Sequence, residues 1–213
     1  MEEFAKQYLE IINGPLKGLN LTRVTDFDEF FQKQIIDSIL PHTECAIFQD
    51  LINSVDVVID VGFGGGFPIL PLSKLYPYKK FIGIEARRKK SDAVNLIANE
   101  LGLDNVQTFH LRLEDIFINK PVLMTFKAVS TVEKLLPLIN YDKGVEINTV
   151  FYKGPNFFDL EELEKIPDNW ESIGFEEVDL TGTEGRTFAY FKNLDVPRRT
   201  NTNKQLVRLD QFI

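Results

Sequence analysis

Val55-Asp56-Val57-Val58-Ile59-Asp60-Val61-Gly62-Phe63-Gly64-Gly65-Gly66-Phe67-Pro68-Ile69-Leu70-Pro71-Leu72 is the stretch that decides the fold. Val55–Ile59 is a short, nearly continuous apolar run, the pattern of a strand buried on both faces. Four glycines follow within five residues, and a helix is expected to open over Phe67–Leu72. Strand, glycine loop and helix in this order place a nucleotide-cofactor site at the carboxyl edge of a parallel sheet. A dinucleotide carrier needs Gly-x-Gly-x-x-Gly. Counted from Gly62 and Gly64 the third glycine falls on Phe67, and counted from Gly64 and Gly66 it falls on Ile69, so both frames fail.

The spacing that fits is acid-x-Gly-x-Gly-x-Gly, running from Asp60 through Gly62, Gly64 and Gly66, as in S-adenosylmethionine-dependent methyltransferases. A pyrophosphate is drawn to the positive end of a helix. S-adenosylmethionine has no phosphate and carries a positive sulfonium, so it needs bare backbone beside its methionine portion, which glycine permits. Asp60 is expected near the ammonium end. Glu85 closes the next apolar run, Phe81-Ile82-Gly83-Ile84. An acid about 20 residues beyond such a loop can accept hydrogen bonds from both ribose hydroxyls. Leu111-Arg112-Leu113-Glu114-Asp115 follows a third strand and offers a backbone amide and a carboxylate to the edge of an adenine.

Outward from this centre the chain alternates strand and helix. Strands are expected over Val106–Phe109, Met124–Val129 and Asn148–Tyr152, with a helix over Lys89–Leu101 that Gly102 stops. A short helix interrupted by Pro137 and an acidic helix over Asp159–Lys165 are also expected. Glu176–Leu180 and Thr187–Phe191 read as a hairpin at the sheet edge. Such alternation means a Rossmann-like α/β fold, a mainly parallel sheet with helices on both faces. The first 54 residues read as helical: Thr25-Asp26-Phe27-Asp28 caps a helix, Phe27, Phe30, Phe31, Ile35 and Ile39 share one face, and Pro41 closes it. The expected organisation is a helical cover over 1–54, a cofactor-binding domain over 55–192 and a basic tail over 193–213.

The 213 residues suffice for one α/β domain with a short appendage. No apolar run approaches the ~20 residues of a membrane span, and the acidic start Met1-Glu2-Glu3-Phe4 has no leader pattern. A lone cysteine, Cys45, permits no internal disulfide and reads as a small buried hydrophobe, so a cytoplasmic home is expected. The net charge of −8 argues against a general nucleic-acid coat. Arg87-Arg88-Lys89-Lys90 and the tail from Pro197 to Lys204 are local basic exceptions. The two histidines, His42 and His110, and Cys45 make no zinc spacing and no catalytic triad. Methyl transfer needs neither when the acceptor atom has a free lone pair, because rate then comes from aligning nucleophile, methyl carbon and sulfur.

These residues lead to a family. From about Leu19 to Lys204 the chain resembles the glucose-inhibited division protein B family, RsmG, class I methyltransferases acting on N7 of a guanine in bacterial 16S ribosomal RNA. Asn20-Leu21-Thr22 resembles the family's Asn-Leu-Thr, and Gln34-Ile35-Ile36-Asp37-Ser38 its His-Ile-Leu-Asp-Ser. Ile59–Leu72, with Pro68 and Pro71, matches its signature loop; Leu113-Glu114 and Tyr152-Lys153-Gly154 match further segments. The resemblance implies S-adenosylmethionine contacts from Gly62, Phe67, Leu113 and Glu114, alongside Gly64, Gly66 and Glu85 from the loop and its acid. It implies ribosomal RNA, free or in the small-subunit particle, near Asn20, Lys89, Lys90, Arg186, Arg198 and Arg199. No catalytic side chain and no membrane partner are implied. The chain departs from the family at Gln34 (His), at Ser130-Thr131 (Ser-Arg) and at Gly185-Arg186-Thr187 (Glu-Arg-His). The arginine absent at 131 would have faced the cofactor and guanine pocket. A small-molecule or protein methyltransferase, or a cofactor-binding module with little turnover, are the other readings the same loop allows.

Overall fold

The computed structural model describes residues 1–179, 185–194 and 206–212. It begins with α1 (Glu2–Asn13), whose Phe4, Ala5, Tyr8, Leu9 and Ile12 recur at helical spacing and are all buried. The next helix opens where its cap was expected, with the Asp26 carboxylate accepting from the Glu29 amide at 2.9 Å. It runs as α2 (Phe27–Phe30), a π-helical stretch over Phe31–Ile36, and α3 (Asp37–Glu44). Pro41 does not end it. Pro41 removes one backbone N–H, while burial of Ile39, Leu40 and Pro41 itself holds the last turn to the core. α4 (Ala46–Asn53) completes the amino-terminal helices.

Alternation then follows: β1 (Val57–Val61), α5 (Ile69–Leu75), β2 (Lys80–Glu85), α6 (Arg88–Glu100), β3 (Val106–His110), β4 (Ile116–Ile118), β5 (Val122–Lys127), α7 (Val132–Leu135), β6 (Asn140–Tyr141) and β7 (Ile147–Lys153). α8 (Phe157–Leu160), β8 (Trp170–Val178), β9 (Arg186–Asn193) and β10 (Val207–Arg208) end the chain's regular elements among the described residues. The main sheet has the order β3-β2-β1-β5-β7-β9-β8. Its first five strands are parallel, and β9 and β8 run antiparallel at one edge. β1 is buried along its whole length, as its apolar run requires. Val61 pairs with Ile84 on one side and Phe126 on the other, so Gly62 emerges where the strand order reverses.

Three departures from expectation have local causes. The strand expected to end at Val129 ends at Lys127, and Ala128 takes a φ of 56° that breaks the extended run. The acidic helix expected over Asp159–Lys165 is a single turn, Phe157–Leu160, then a 3₁₀ turn, Leu163–Lys165. A helix that short gains nothing from cooperativity and offers one buried side chain, Phe157. A second sheet, β10-β4-β6, uses strands of two and three residues, too short to show a period in sequence.

Two apolar clusters flank the main sheet. The amino-terminal helices contribute Tyr8, Phe30, Ile35 and Phe48 to the same cluster as Phe63, Phe67, Ile69 and Phe81. The opposite face packs Ile59, Ile82, Met124, Phe126 and Phe151 with Leu136. The junction between the helices and the β1–α5 loop is very close. A Cβ on Gly65 would collide with the carbonyl oxygen of Leu21. Gly65→Ala is therefore expected to lower stability by about 1–3 kcal/mol, read as a lower urea midpoint. Gly154→Ala, where nothing lies within 4 Å of the added carbon, should leave the midpoint in place. Equal midpoints for both variants would refute this contact.

Candidate methyl-donor cleft

A cleft of about 540 Å³ opens at the carboxyl ends of β1, β2 and β5, within the range of small-molecule sites. Its floor is the loop after β1, with Gly62, Phe63, Gly64, Gly65 and Phe67. Glu85 at the end of β2 forms one wall, and Leu113 and Glu114 after β3 form another. Lys127, Ala128 and Val129 close the side at β5, and Leu21 and Gln34 of the amino-terminal segment close the rim. The structure thus brings Gly62, Gly64, Phe67, Glu85, Leu113 and Glu114 together around one space, although they span 52 positions from first to last (62 to 114).

Gly66 is not on that wall. A Cβ there would collide with the Tyr8 hydroxyl and come within 3.0 Å of Leu70 Cδ1, so this glycine serves the packing of α1. Asp60 also differs from expectation. It is 1% exposed and lies behind the loop. Its Oδ2 accepts from the Ile69 amide at 3.0 Å, and its Oδ1 accepts from the Thr125 hydroxyl at 2.7 Å. The carboxylate therefore ties the first turn of α5 to β5 instead of reaching a ligand's ammonium. Burial pushes its pKa up to about 7, against the opposing bonds from Thr125 and Ile69 and the charge of Lys127.

Glu85 accepts from the Gly64 amide at 3.2 Å and from the Arg87 amide at 3.0 Å. A carboxylate has about four lone-pair positions, so two remain for a ligand's hydroxyls. Beyond Gly64 the space is open: an added Cβ would meet only Lys90 Nζ at 3.8 Å and the Gly62 carbonyl at 4.0 Å. Bare backbone facing a cleft, with a carboxylate that has spare acceptor capacity, fits the methionine and ribose portions of S-adenosylmethionine. Among the described residues no group of His, Cys, Asp and Glu is placed to hold a metal ion.

The basic residues separate into three groups. Lys90 lines the cleft with Arg87, whereas Lys89 is exposed outside the wall. Among the described residues, none of Arg87, Arg88, Lys89 and Lys90 is paired with a carboxylate. Arg186 is engaged elsewhere: its Nε lies 2.5 Å from Asp37 Oδ1. Asn20 is exposed with a φ of 48°, next to the rim residue Leu21 but off the wall. Arg198 and Arg199 lie outside the described residues.

Lys127 is the residue that the sequence reading missed. Its Nζ sits 2.9 Å from the buried Asp37 Oδ2 and 5.9 Å from the Phe67 ring centroid. One carboxylate faces two cations, Lys127 and Arg186, leaving net positive charge beside the cleft. Thr131, where the family resemblance supplies an arginine, precedes α7 and bonds Glu133. The available signal was a charged residue closing an apolar strand, the position that Glu85 takes on β2.

A family model described as GidB, rRNA small subunit methyltransferase G, matches residues 1–188. The chain belongs to this family. The ribosomal RNA small subunit methyltransferase G of Lactobacillus helveticus is 32% identical over 222 residues, covering 96% of this chain and 89% of that protein. The enzyme of the same name from Streptococcus gordonii is 34% identical over 139 residues, covering 62% of this chain and 56% of that protein. In that match the chain spans little more than half of the relative's length. Among solved structures, StiE O-MT (residues 961–1257) shares the fold with a TM-score of 0.51 at 12% identity, covering 84% of this chain and 91% of that one. Where the family resemblance supplies histidine at the rim, this member has Gln34, carried on the π-helical stretch. Such stretches are rare and concentrate at functional sites.

The raised pKa of Asp60 gives a pH window with a definite sign. Between its ordinary value of 3.8 and about 7 the folded chain holds a proton that the unfolded chain has released. Asp60 therefore makes unfolding easier as pH rises through that window, by at most about 1.4 kcal/mol per pH unit. Urea denaturation at several pH values should show Asp60→Asn losing this decline. A stability difference between the two chains that does not vary from pH 4 to pH 7 would sink the assignment.

Proposed function

We propose that this chain transfers a methyl group from S-adenosylmethionine to N7 of a guanine in 16S ribosomal RNA. The observation that carries the reading is the cleft, where bare glycine backbone, Glu85 and the Lys127 cation meet at the sheet's switch point. Bound there, S-adenosylmethionine would supply a methyl group made electrophilic by its sulfonium. Gly62 and Gly64 would lie beside its methionine portion, Glu85 would accept from its ribose hydroxyls, and Leu113 and Glu114 would meet its adenine.

The acceptor side of the cleft is lined by Gln34, Lys127 and Val129. Guanine N7 has a lone pair in the ring plane, so no residue need remove a proton. Guanine also presents O6 beside N7. Lys127 and the Gln34 amide are the donors that would hold O6 while N7 stays free to attack. Arg87, Lys89 and Lys90 would hold backbone phosphates, which fix register without reading sequence. This local charge offsets the −8 of the whole chain, which by itself repels RNA. Asn20, Arg186, Arg198 and Arg199 complete the proposed RNA-facing set, with Arg186 acting through Asp37.

Purified protein given labelled S-adenosylmethionine should label small-subunit RNA that lacks the modification, at a guanine N7. Lys127→Met should lower kcat/KM by roughly 10- to 100-fold, the worth of a charged hydrogen bond, with a smaller change in donor affinity. Lys89→Ala with Lys90→Ala should weaken RNA binding and flatten its dependence on salt. Donor binding by calorimetry without label in RNA, or label in a small molecule instead, would overturn the proposal.

A further inference from the structure

From contacts made by α1, we infer that Tyr8 is a positioning residue for the donor-binding loop, so that the amino-terminal helix is part of the methyl-donor site. The inference rests on the cleft being that site. Tyr8 is fully buried in α1, far in sequence from the loop, yet it acts on three consecutive loop residues. Its hydroxyl donates to the Gly65 carbonyl. The same oxygen occupies the place where a side chain at Gly66 would begin. Its ring stacks on Phe67, with centroids 5.1 Å apart and planes 18° apart.

Two of those three residues, Gly65 and Phe67, line the cleft. The contact is braced on both sides. Phe30 meets the edges of Tyr8 and Phe67, each with centroids 5.7 Å apart, and the Leu21 carbonyl presses on Gly65. Burial, and next the charge of Asp60, raise the Tyr8 pKa well above its ordinary value, so the hydroxyl keeps its proton and remains a donor. An unpartnered Gly65 carbonyl would free the loop to rotate, and the surfaces of Gly64 and Phe67 would no longer be held in the shape the donor meets. Preorganisation of this kind appears in ligand affinity, because an unheld loop must be ordered on binding.

Tyr8→Phe removes the hydroxyl and keeps the stacked ring. Phe4→Leu perturbs the same helix, since Phe4 packs edge-on against Tyr8 with centroids 5.7 Å apart, and leaves the Gly65 bond in place. In the ligand-free chain, hydrogen exchange at the amides of residues 64–67 should be faster in Tyr8→Phe than in either the parent or Phe4→Leu. The Kd and KM for S-adenosylmethionine should rise about 2- to 10-fold in Tyr8→Phe, the worth of one neutral hydrogen bond. KM for RNA should hold. A residue that merely stabilises the fold would reduce the active fraction, and hence apparent kcat, without moving the donor KM. Unchanged exchange and unchanged donor Kd in Tyr8→Phe would overturn the inference, as would equal shifts in both variants. Should the parent chain fail to bind S-adenosylmethionine, the proposed function falls, and the exchange measurement still decides the role of Tyr8.

Discussion

One buried carboxylate holds the geometry that the rest of the molecule uses. Asp60 lies one residue before the end of β1, takes the Ile69 amide with one oxygen and the Thr125 hydroxyl with the other, and so joins three elements at the switch point. The start of α5 has no cap of its own, because no side chain near Pro68 accepts from it. The Asp60 bond satisfies one of the amides that a helix start leaves without a partner. With α5 anchored on one side and β1 on the other, the intervening residues have little choice but to arch outward. That arch is the floor of the cleft.

The arch is also squeezed from above. Leu21 and Tyr8 approach Gly65 and Gly66 so closely that neither position tolerates a side chain. The glycines of the loop therefore answer to two different constraints. Gly64 leaves backbone open toward the cleft, whereas Gly62 leaves room for the Val129 side chain and Gly66 for a helix from the amino-terminal segment. A motif that reads as a uniform ligand cradle is, in space, open at Gly64 and a packing joint at Gly62, Gly65 and Gly66. This explains why the amino-terminal helices share the core cluster of the sheet.

Charge is arranged on the same principle of local exception. An acidic chain gathers Arg87, Arg88, Lys89 and Lys90 where β2 hands over to α6, beside the cleft. Lys127 reaches the cleft because Asp37, 90 positions earlier (37 to 127), holds its ammonium at 2.9 Å. A buried ion pair of this sort contributes little net stability. Its consequence is placement: the cation sits at a defined point on the cleft wall instead of sweeping the solvent.

The sequence by itself determined the parallel sheet, the cofactor loop and the family, because each is written in short-range pattern. Apolar runs mark strands buried on both faces, glycine spacing distinguishes one cofactor loop from another, and an acid at the end of the next strand completes the pair. Tertiary structure alone decided the contacts of Asp60, Gly66, Tyr8 and Lys127. Each of these depends on a partner at least nine positions away: Ile69 for Asp60, Tyr8 for Gly66, Gly65 for Tyr8, and Asp37 for Lys127. Periodicity carries no record of such partners. Which glycine faces open space and which faces protein is settled only when distant segments close over the loop, since steric exclusion exists between surfaces and not within a motif.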